Sequence, residues 1–409
     1  MEGSSIVTCH CSVNELAVIE SGWHTWQVAL VGVDRFMIAA RIVALMRTAA
    51  MFALVFQGIN GLIQVSAFFS FQGTAYLAFS DSFLKGSVLA MLCAFNLENK
   101  LLGGGASESV RRYFLAFWVV GLVSAVVSIA LRLPVPTFLT FCCWGVCFRL
   151  FLAWATHARP AVTSLVLAGG GALVVCLFSS VNQMMMAGML AFPLAAWRAI
   201  GPPLVADDGV KLLIRRSAAA FARYLPHTVS GLIVGYADRY VALHVVRGSA
   251  AETYLRTLQV CAWAAFLAYP VVFHARLRVL QSGFLRAGRA GFLLTTLIVT
   301  LAAVLALILV VARYAGRMPS LMPWVLLLVF MGTVFSLCYQ VASSLNFLHE
   351  RFGTVNRITM SSAAVSLALA FLLVPWQRTA ESLAFVLFAG WFVQFGLTIA
   401  VMRRPTPGS

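Results

Sequence analysis

Charge is what this chain has least of. Only 13 of its 409 residues are acidic, and charged residues of both signs make up 10% of it, against 61% hydrophobic. A soluble domain carries roughly 25% charged and 45–50% apolar residues, so a soluble fold is excluded. The signatures of several chemistries are missing as well. There is no Asp-x-Asp of the kind a metal-dependent sugar transferase would show. The glycine cluster LLGGGAS (101–107) is not followed by Gly-Lys-Ser/Thr, so it reads as a loop and not as a nucleotide cradle. The nine cysteines make no disulfide framework: Cys93, Cys142, Cys143, Cys147, Cys176, Cys261 and Cys338 fall in apolar runs, where a thiol acts as a small apolar side chain. Cys9-x-Cys11 around His10 lacks a second ligand pair, so neither a metal nor another cofactor is expected.

What the chain has in abundance is long apolar runs. A membrane-crossing helix needs about 20 mostly apolar residues, and twelve such runs can be placed: 48–69, 74–94, 113–131, 135–155, 160–180, 181–200, 225–245, 257–275, 291–312, 322–346, 356–375 and 382–402. We therefore expect an all-α polytopic membrane protein. Its expected parts are a tail and interfacial helix over 1–47, six helices over 48–200, a cytoplasmic amphipathic linker over 201–224, six helices over 225–404 and a short tail over 405–409. Residues 1–36 have no basic start, sustained apolar core or small-residue cleavage site, so no signal peptide is read there. They are expected to be a cytoplasmic tail or to precede the true start. In the linker, Asp207 and Asp208 suit a helix N-terminus, and Leu212, Leu213, Phe221 and Leu225 can meet lipid while Lys211, Arg215 and Arg216 meet anionic headgroups.

The net charge of +16 is a matter of topology and does not call for a nucleic acid. With the N-terminus inside, 19 of the 29 Lys and Arg residues fall in cytoplasmic segments, 6 in outer loops and 4 in spans. That bias satisfies the positive-inside rule and puts both termini in the cytoplasm. A reporter active only outside the cytoplasm should therefore be silent when fused after Arg404 and active when inserted near Ser249. Activity from the C-terminal fusion would mean an odd number of spans.

Charges inside the spans cost on the order of 2.5–3.5 kcal/mol each even on a lenient scale, so the few present are informative. Asp81 and Lys85 lie four residues apart, on one face of the second span. Arg149 lies in the fourth span, and Arg198 ends the sixth, where snorkelling accounts for it. Asp238 and Arg239 are adjacent in GLIVGYADRYVALHVV (231–246), so they point about 100° apart and cannot neutralise one another along one face. Gln57, Asn60 and Gln64 form one amide stripe along the first span. Asn182, Gln183 and Gln340 suit hydrogen bonds between helices.

The stretch FARYLPHTVSGLIVGYADRYVALHVVRGSAAETYLRTLQVCAWAAFLAYPVVF (221–273) resembles the start of the second half of the lipid-linked oligosaccharide flippases. These are the O-antigen and polysaccharide repeat-unit exporters of the multidrug/oligosaccharidyl-lipid/polysaccharide exporter superfamily. The matching positions are Leu225-Pro226, Gly231, Asp238-Arg239 and Tyr254; residues 345–375 resemble the family's return loop and eleventh span, and 71–88 fit more loosely. The chain departs from the pattern in its outer loop (Arg247-Gly248-Ser249) and in lacking a second proline at the end of the eighth span. The resemblance implies two six-helix bundles around a central cavity in the bacterial cytoplasmic membrane. It implies a substrate too: an undecaprenyl-diphosphate-linked oligosaccharide, turned across the membrane by alternating access for O-antigen or exopolysaccharide biosynthesis. On that footing Lys85 and Arg239 would hold the diphosphate, Arg149 would receive the headgroup, and Gln57, Asn60 and Gln64 would meet sugar hydroxyls. Asp81 and Asp238 would neutralise the cations or couple transport to a proton or sodium ion. Contact with polysaccharide polymerase or assembly proteins belongs to the same expectation. Two alternatives stay open at this point: a multidrug/cation antiporter of the same superfamily, whose cavity should be rich in acids, and a membrane enzyme of polysaccharide assembly.

Overall fold

The computed structural model describes residues 49–102, 135–158, 162–178, 180–200, 209–282, 287–314, 322–348 and 352–402, with a few positions between 123 and 132. The chain divides after Thr48, and all of these residues belong to the second unit. The tail over 1–47, most of the third expected span (113–131), the linker residues 201–208 and the side chain of Arg149 lie outside the described residues.

The described part is helical. The helices are α1 (Ala49–Ser70), α2 (Gly73–Leu102), α3 (Val135–Ala158), α4 (Val162–Cys176), α5 (Val181–Ile200), α6 (Gly209–Val241), α7 (Gly248–Ser282), α8 (Ala287–Tyr314), α9 (Pro323–Leu348) and α10 (Phe352–Leu372). They are followed by the single turn α11 (Val374–Gln377) and α12 (Ala380–Met402). Apart from α11, each corresponds to one of the expected spans. Four stretches, Val135–Ala153, Pro323–Ser343, Gly353–Gln377 and Ala380–Val401, are long and apolar enough in themselves to cross a membrane. Helices α2 and α6 carry the charges noted above, which lower their hydropathy. This is a multi-pass membrane protein.

Backbone chemistry explains the turns. After α6 the chain makes one π turn over Ala242–Val246, closed by the Arg247 N–H on the Ala242 carbonyl at 2.9 Å. Arg247 is left-handed (φ 54), a costly state for a residue with a Cβ. Its own Nε offsets part of that cost by donating to the His244 carbonyl at 3.0 Å. Gly248, also at positive φ, then opens α7. The end of the bundle that bears this turn, and those at 71–72 and 373–379, is the one the charge bias expects to face outward; we call it the outer end.

Packing falls into two sets, α1–α5 and α6–α12. In the first, α2 and α3 pack most extensively, because Gly86 and Gly145 let their backbones approach: Gly86 faces Phe141 and Gly145 faces Ala90. An aromatic array fills the seam, with Phe141 against Trp144 at 4.9 Å, Phe83 against Phe141 at 5.5 Å and Trp144 against Phe192 at 5.3 Å between ring centroids. In the second set α9 packs on α12 and α7, and α6 on α10. The sets meet where α1 and α2 touch α6 and α7.

Candidate functional site

Between the two sets lies a cavity of about 530 Å³. Each bordering helix contributes one stripe at helical spacing. From α6 it is His227, Gly231, Gly235 and Arg239; from α2 it is Tyr76, Ser80, Phe83 and Ser87. Gln57, Asn60 and Gln64 of α1 face the same space, as do Gln259 and Arg276 of α7, Tyr339 and Gln340 of α9, and Trp391 and Gln394 of α12. Trp144 and Phe148 of α3 complete an aromatic wall.

The amide stripe read from the sequence thus lines the cavity. Gln57 and Gln64 are buried, and the Gln259 amide donates to the Gln64 carbonyl oxygen. Atoms Gln57 Oε1, Asn60 Oδ1 and Gln64 Nε2 keep no hydrogen-bond partner within the protein. Buried polar atoms of this kind call for a polar occupant.

Asp238 and Arg239 part company as their helical angle requires. Arg239 faces the cavity, with its guanidinium 4.7 Å from the centroid of the Tyr236 ring. Asp238, only 1% exposed, turns away from the cavity and accepts a hydrogen bond from the Tyr254 hydroxyl. Tyr254 is fully buried on α7, so the pair ties α6 to α7 and fixes the rotation that points Arg239 inward. Removing the phenol should therefore be felt. We expect Tyr254→Phe to cost about 1–3 kcal/mol, the range for stranding one buried hydrogen-bonding group, and Asp238→Asn to cost less because an amide oxygen still accepts. Thermal unfolding in detergent measures both; a Tyr254→Phe protein as stable as the parent would mean that the carboxylate is held by something else.

Asp81 and Lys85 form the ion pair expected of an i, i+4 pair, Nζ to Oδ2 at 2.6 Å, and Asp81 Oδ1 lies 3.3 Å from Nε2 of His244 in the π turn. Neither lines the cavity, and the Lys85 side chain is 45% exposed. The reason is rotational: the inward stripe of α2 runs through residues 76, 80, 83 and 87, and positions 81 and 85 fall on another face. The structure thus brings Arg239 together with the amides but not with Lys85, and α2 adjoins the π turn after α6 at Asp81 and His244. The side chain of Arg149, as noted, lies outside the described residues.

Sequence reasoning missed Arg276, His227, Tyr339, Trp391 and Gln394, all of which border the cavity. For α6 a signal existed: His227, Gly231, Gly235 and Arg239 are spaced by four, one face of a helix. Among the described residues bordering the cavity there are two arginines and one histidine, and no Asp, Glu or Lys. Among the described residues no group of His, Cys, Asp and Glu side chains could hold a metal ion.

No family model matches the chain, and no curated protein matches it in sequence. A solved structure does match it in fold. The lipid II flippase MurJ, in an inward closed conformation, superposes with a TM-score of 0.53 at 10% identity, over 87% of this chain and 87% of that one. The fold is that of MurJ. A MATE transporter in complex with MaD3S aligns at a TM-score of 0.48 and 9% identity over 87% of this chain and 93% of that one. An outward-facing multidrug resistance MATE transporter of the MOP superfamily gives 0.48 at 10% identity, over 88% and 94%. The expectation of an all-α protein is met among the described residues, and the likeness to MurJ is one of fold.

Proposed function

We propose that this protein is a flippase for a lipid-diphosphate-linked oligosaccharide, working by alternating access in the bacterial cytoplasmic membrane with both termini in the cytoplasm, in the service of polysaccharide assembly. The observation that carries the reading is the sign of the cavity: arginines at Arg239 and Arg276 and, among the described residues, no acid. A guanidinium is the side chain best shaped for a phosphate, which it meets with two parallel hydrogen bonds. The same sign disfavours a cation antiporter, whose cargo would need an acidic wall. Amides with unpartnered atoms at Gln57, Asn60 and Gln64 suit sugar hydroxyls. The aromatic faces of Trp144 and Trp391, which border the same space, suit the apolar faces of sugar rings. Arg239 is the residue that holds the diphosphate, and Asp238 with Tyr254 positions it.

The direct test is transfer between leaflets. The purified protein is placed in vesicles containing a lipid-diphosphate oligosaccharide, and the glycan exposed to an added lectin is followed against protein-free vesicles. We expect exposure to rise with protein; uptake of cationic dyes without glycan transfer would favour the antiporter instead.

A further inference from the structure

We propose that Glu252 and Arg256, on the first turns of α7, form a releasable latch that holds the outer end of the cavity shut. Arg256 donates from Nη1 to the Phe68 carbonyl at 2.6 Å and from Nη2 to the Phe71 carbonyl at 2.8 Å. It thereby caps, from the opposite set, the end of α1, where carbonyls run out of partners in their own helix. Glu252 Oε1 accepts from Arg256 Nε at 2.9 Å and from the backbone N–H of Gly73 at 3.2 Å, the residue that opens α2. One ion pair thus grips both sides of the α1–α2 turn, its cation on the negative end of one helix and its carboxylate on the positive start of the next.

The position of this grip relative to the cavity makes it a latch. The Arg256 guanidinium lies 4.3 Å from the centroid of the Tyr76 ring and 4.8 Å from that of Phe68. Tyr76 borders the cavity, whereas Arg256, Glu252, Phe68 and Gly73 do not. Tyr76 is therefore a ceiling, with the cavity on one face and the clamp behind the other. A second tie between the sets, Asp81 to His244 at 3.3 Å, lies at the same end.

The chemistry also makes the clamp releasable. Its hydrogen bonds to α1, α2 and their turn go to three backbone atoms, which water can satisfy when the turn moves away. The two charges stay paired on their own helix, Arg256 Nη2 to Glu252 Oε1 at 2.8 Å. Opening therefore strands no ion, and the large penalty of an unpaired buried charge does not stand in its way.

The test needs no substrate, so its outcome is independent of the flippase reading. A reporter thiol is placed in the cavity as Ser80→Cys, and its labelling by a membrane-impermeant maleimide is followed from the side on which a tag at Ser249 is exposed. The matched protein without the reporter gives the background. Arg256→Ala and Glu252→Gln should each speed labelling from that side, Arg256→Ala by roughly tenfold, the population shift expected when charge-assisted hydrogen bonds are lost. Arg256→Lys, which cannot reach both carbonyls and the carboxylate at once, should fall between. Should Arg256→Ala fail to reach the membrane, Glu252→Gln decides alone. Unchanged labelling in properly inserted variants, or loss of the inserted protein in both, would overturn the proposal and leave the clamp a folding element.

Discussion

Arg239→Ala should abolish surface glycan in a strain that lacks its own flippase and depends on this protein, while the variant reaches the membrane at the parent's level. Arg239 is partly buried and faces the cavity, in a region where few groups compete for an anion. Charge-assisted hydrogen bonds are worth about 1.5–3 kcal/mol each. A guanidinium that meets a diphosphate with two of them would take roughly a hundredfold or more of transport with it. Truncation leaves Asp238 bonded to Tyr254, so the helix itself should stand. Arg239→Lys should keep a reduced but measurable export, since an ammonium still attracts phosphate but loses the fork. The measurement is surface glycan beside membrane abundance, repeated as lectin-accessible transfer in vesicles. Full export by Arg239→Ala would reduce the residue to a packing element and remove the cationic site from the mechanism.

A second large effect is expected from one methyl group. A Cβ at Gly86 would lie 2.9 Å from the carbonyl carbon and 3.1 Å from Cα of Phe141. These are backbone atoms of α3, which no rotamer change can move. Gly86→Ala must therefore push α2 and α3 apart, at a cost of about 1–3 kcal/mol or more for overpacking. That shift also disturbs Phe79 and Phe83, which meet Phe141 at 6.0 and 5.5 Å. Gly86→Leu should leave little monodisperse protein after extraction. Gly58→Ala is the matched control, because nothing lies within 4 Å of its added Cβ; it should be neutral or slightly stabilising through a less flexible unfolded chain. Equal heat resistance of Gly86→Ala and Gly58→Ala would show that the α2–α3 seam yields more easily than its geometry implies.

The sequence was most informative where one physical constraint dominates. Hydrocarbon forces backbone hydrogen bonds inside each segment, so apolar runs mark the helices, and eleven of the expected spans fall largely on described helices. The amide stripe was legible for a similar reason, since three amides at helical spacing can share only one face. Asp238 and Arg239 were legible as a pair that must diverge, but which of them would look inward depends on Tyr254, sixteen residues on, whose burial no local pattern announces. Lys85 shows the opposite limit: its pairing with Asp81 follows from spacing alone, whereas the face that pair occupies is set by how α2 rolls against α3. Arg256 shows no such sign, because its partners, the carbonyls of Phe68 and Phe71, are backbone atoms nearly two hundred residues away and carry no sequence signature.

Helix α6 is continuous from Gly209 to Val241, 33 residues, and at 1.5 Å per residue it is about 50 Å long, well beyond a hydrocarbon core of about 30 Å. Pro226 lies inside it and cannot donate to the Ala222 carbonyl, so the rod has a built-in soft joint there. The joint falls just before His227, where the cavity stripe of this helix begins. A swing of the basic segment carrying Lys211, Arg215, Arg216 and Arg223 can then be taken up at the proline, as the handle of a ratchet turns without disturbing the tooth. Arg239, thirteen residues beyond the joint, can then keep its aim.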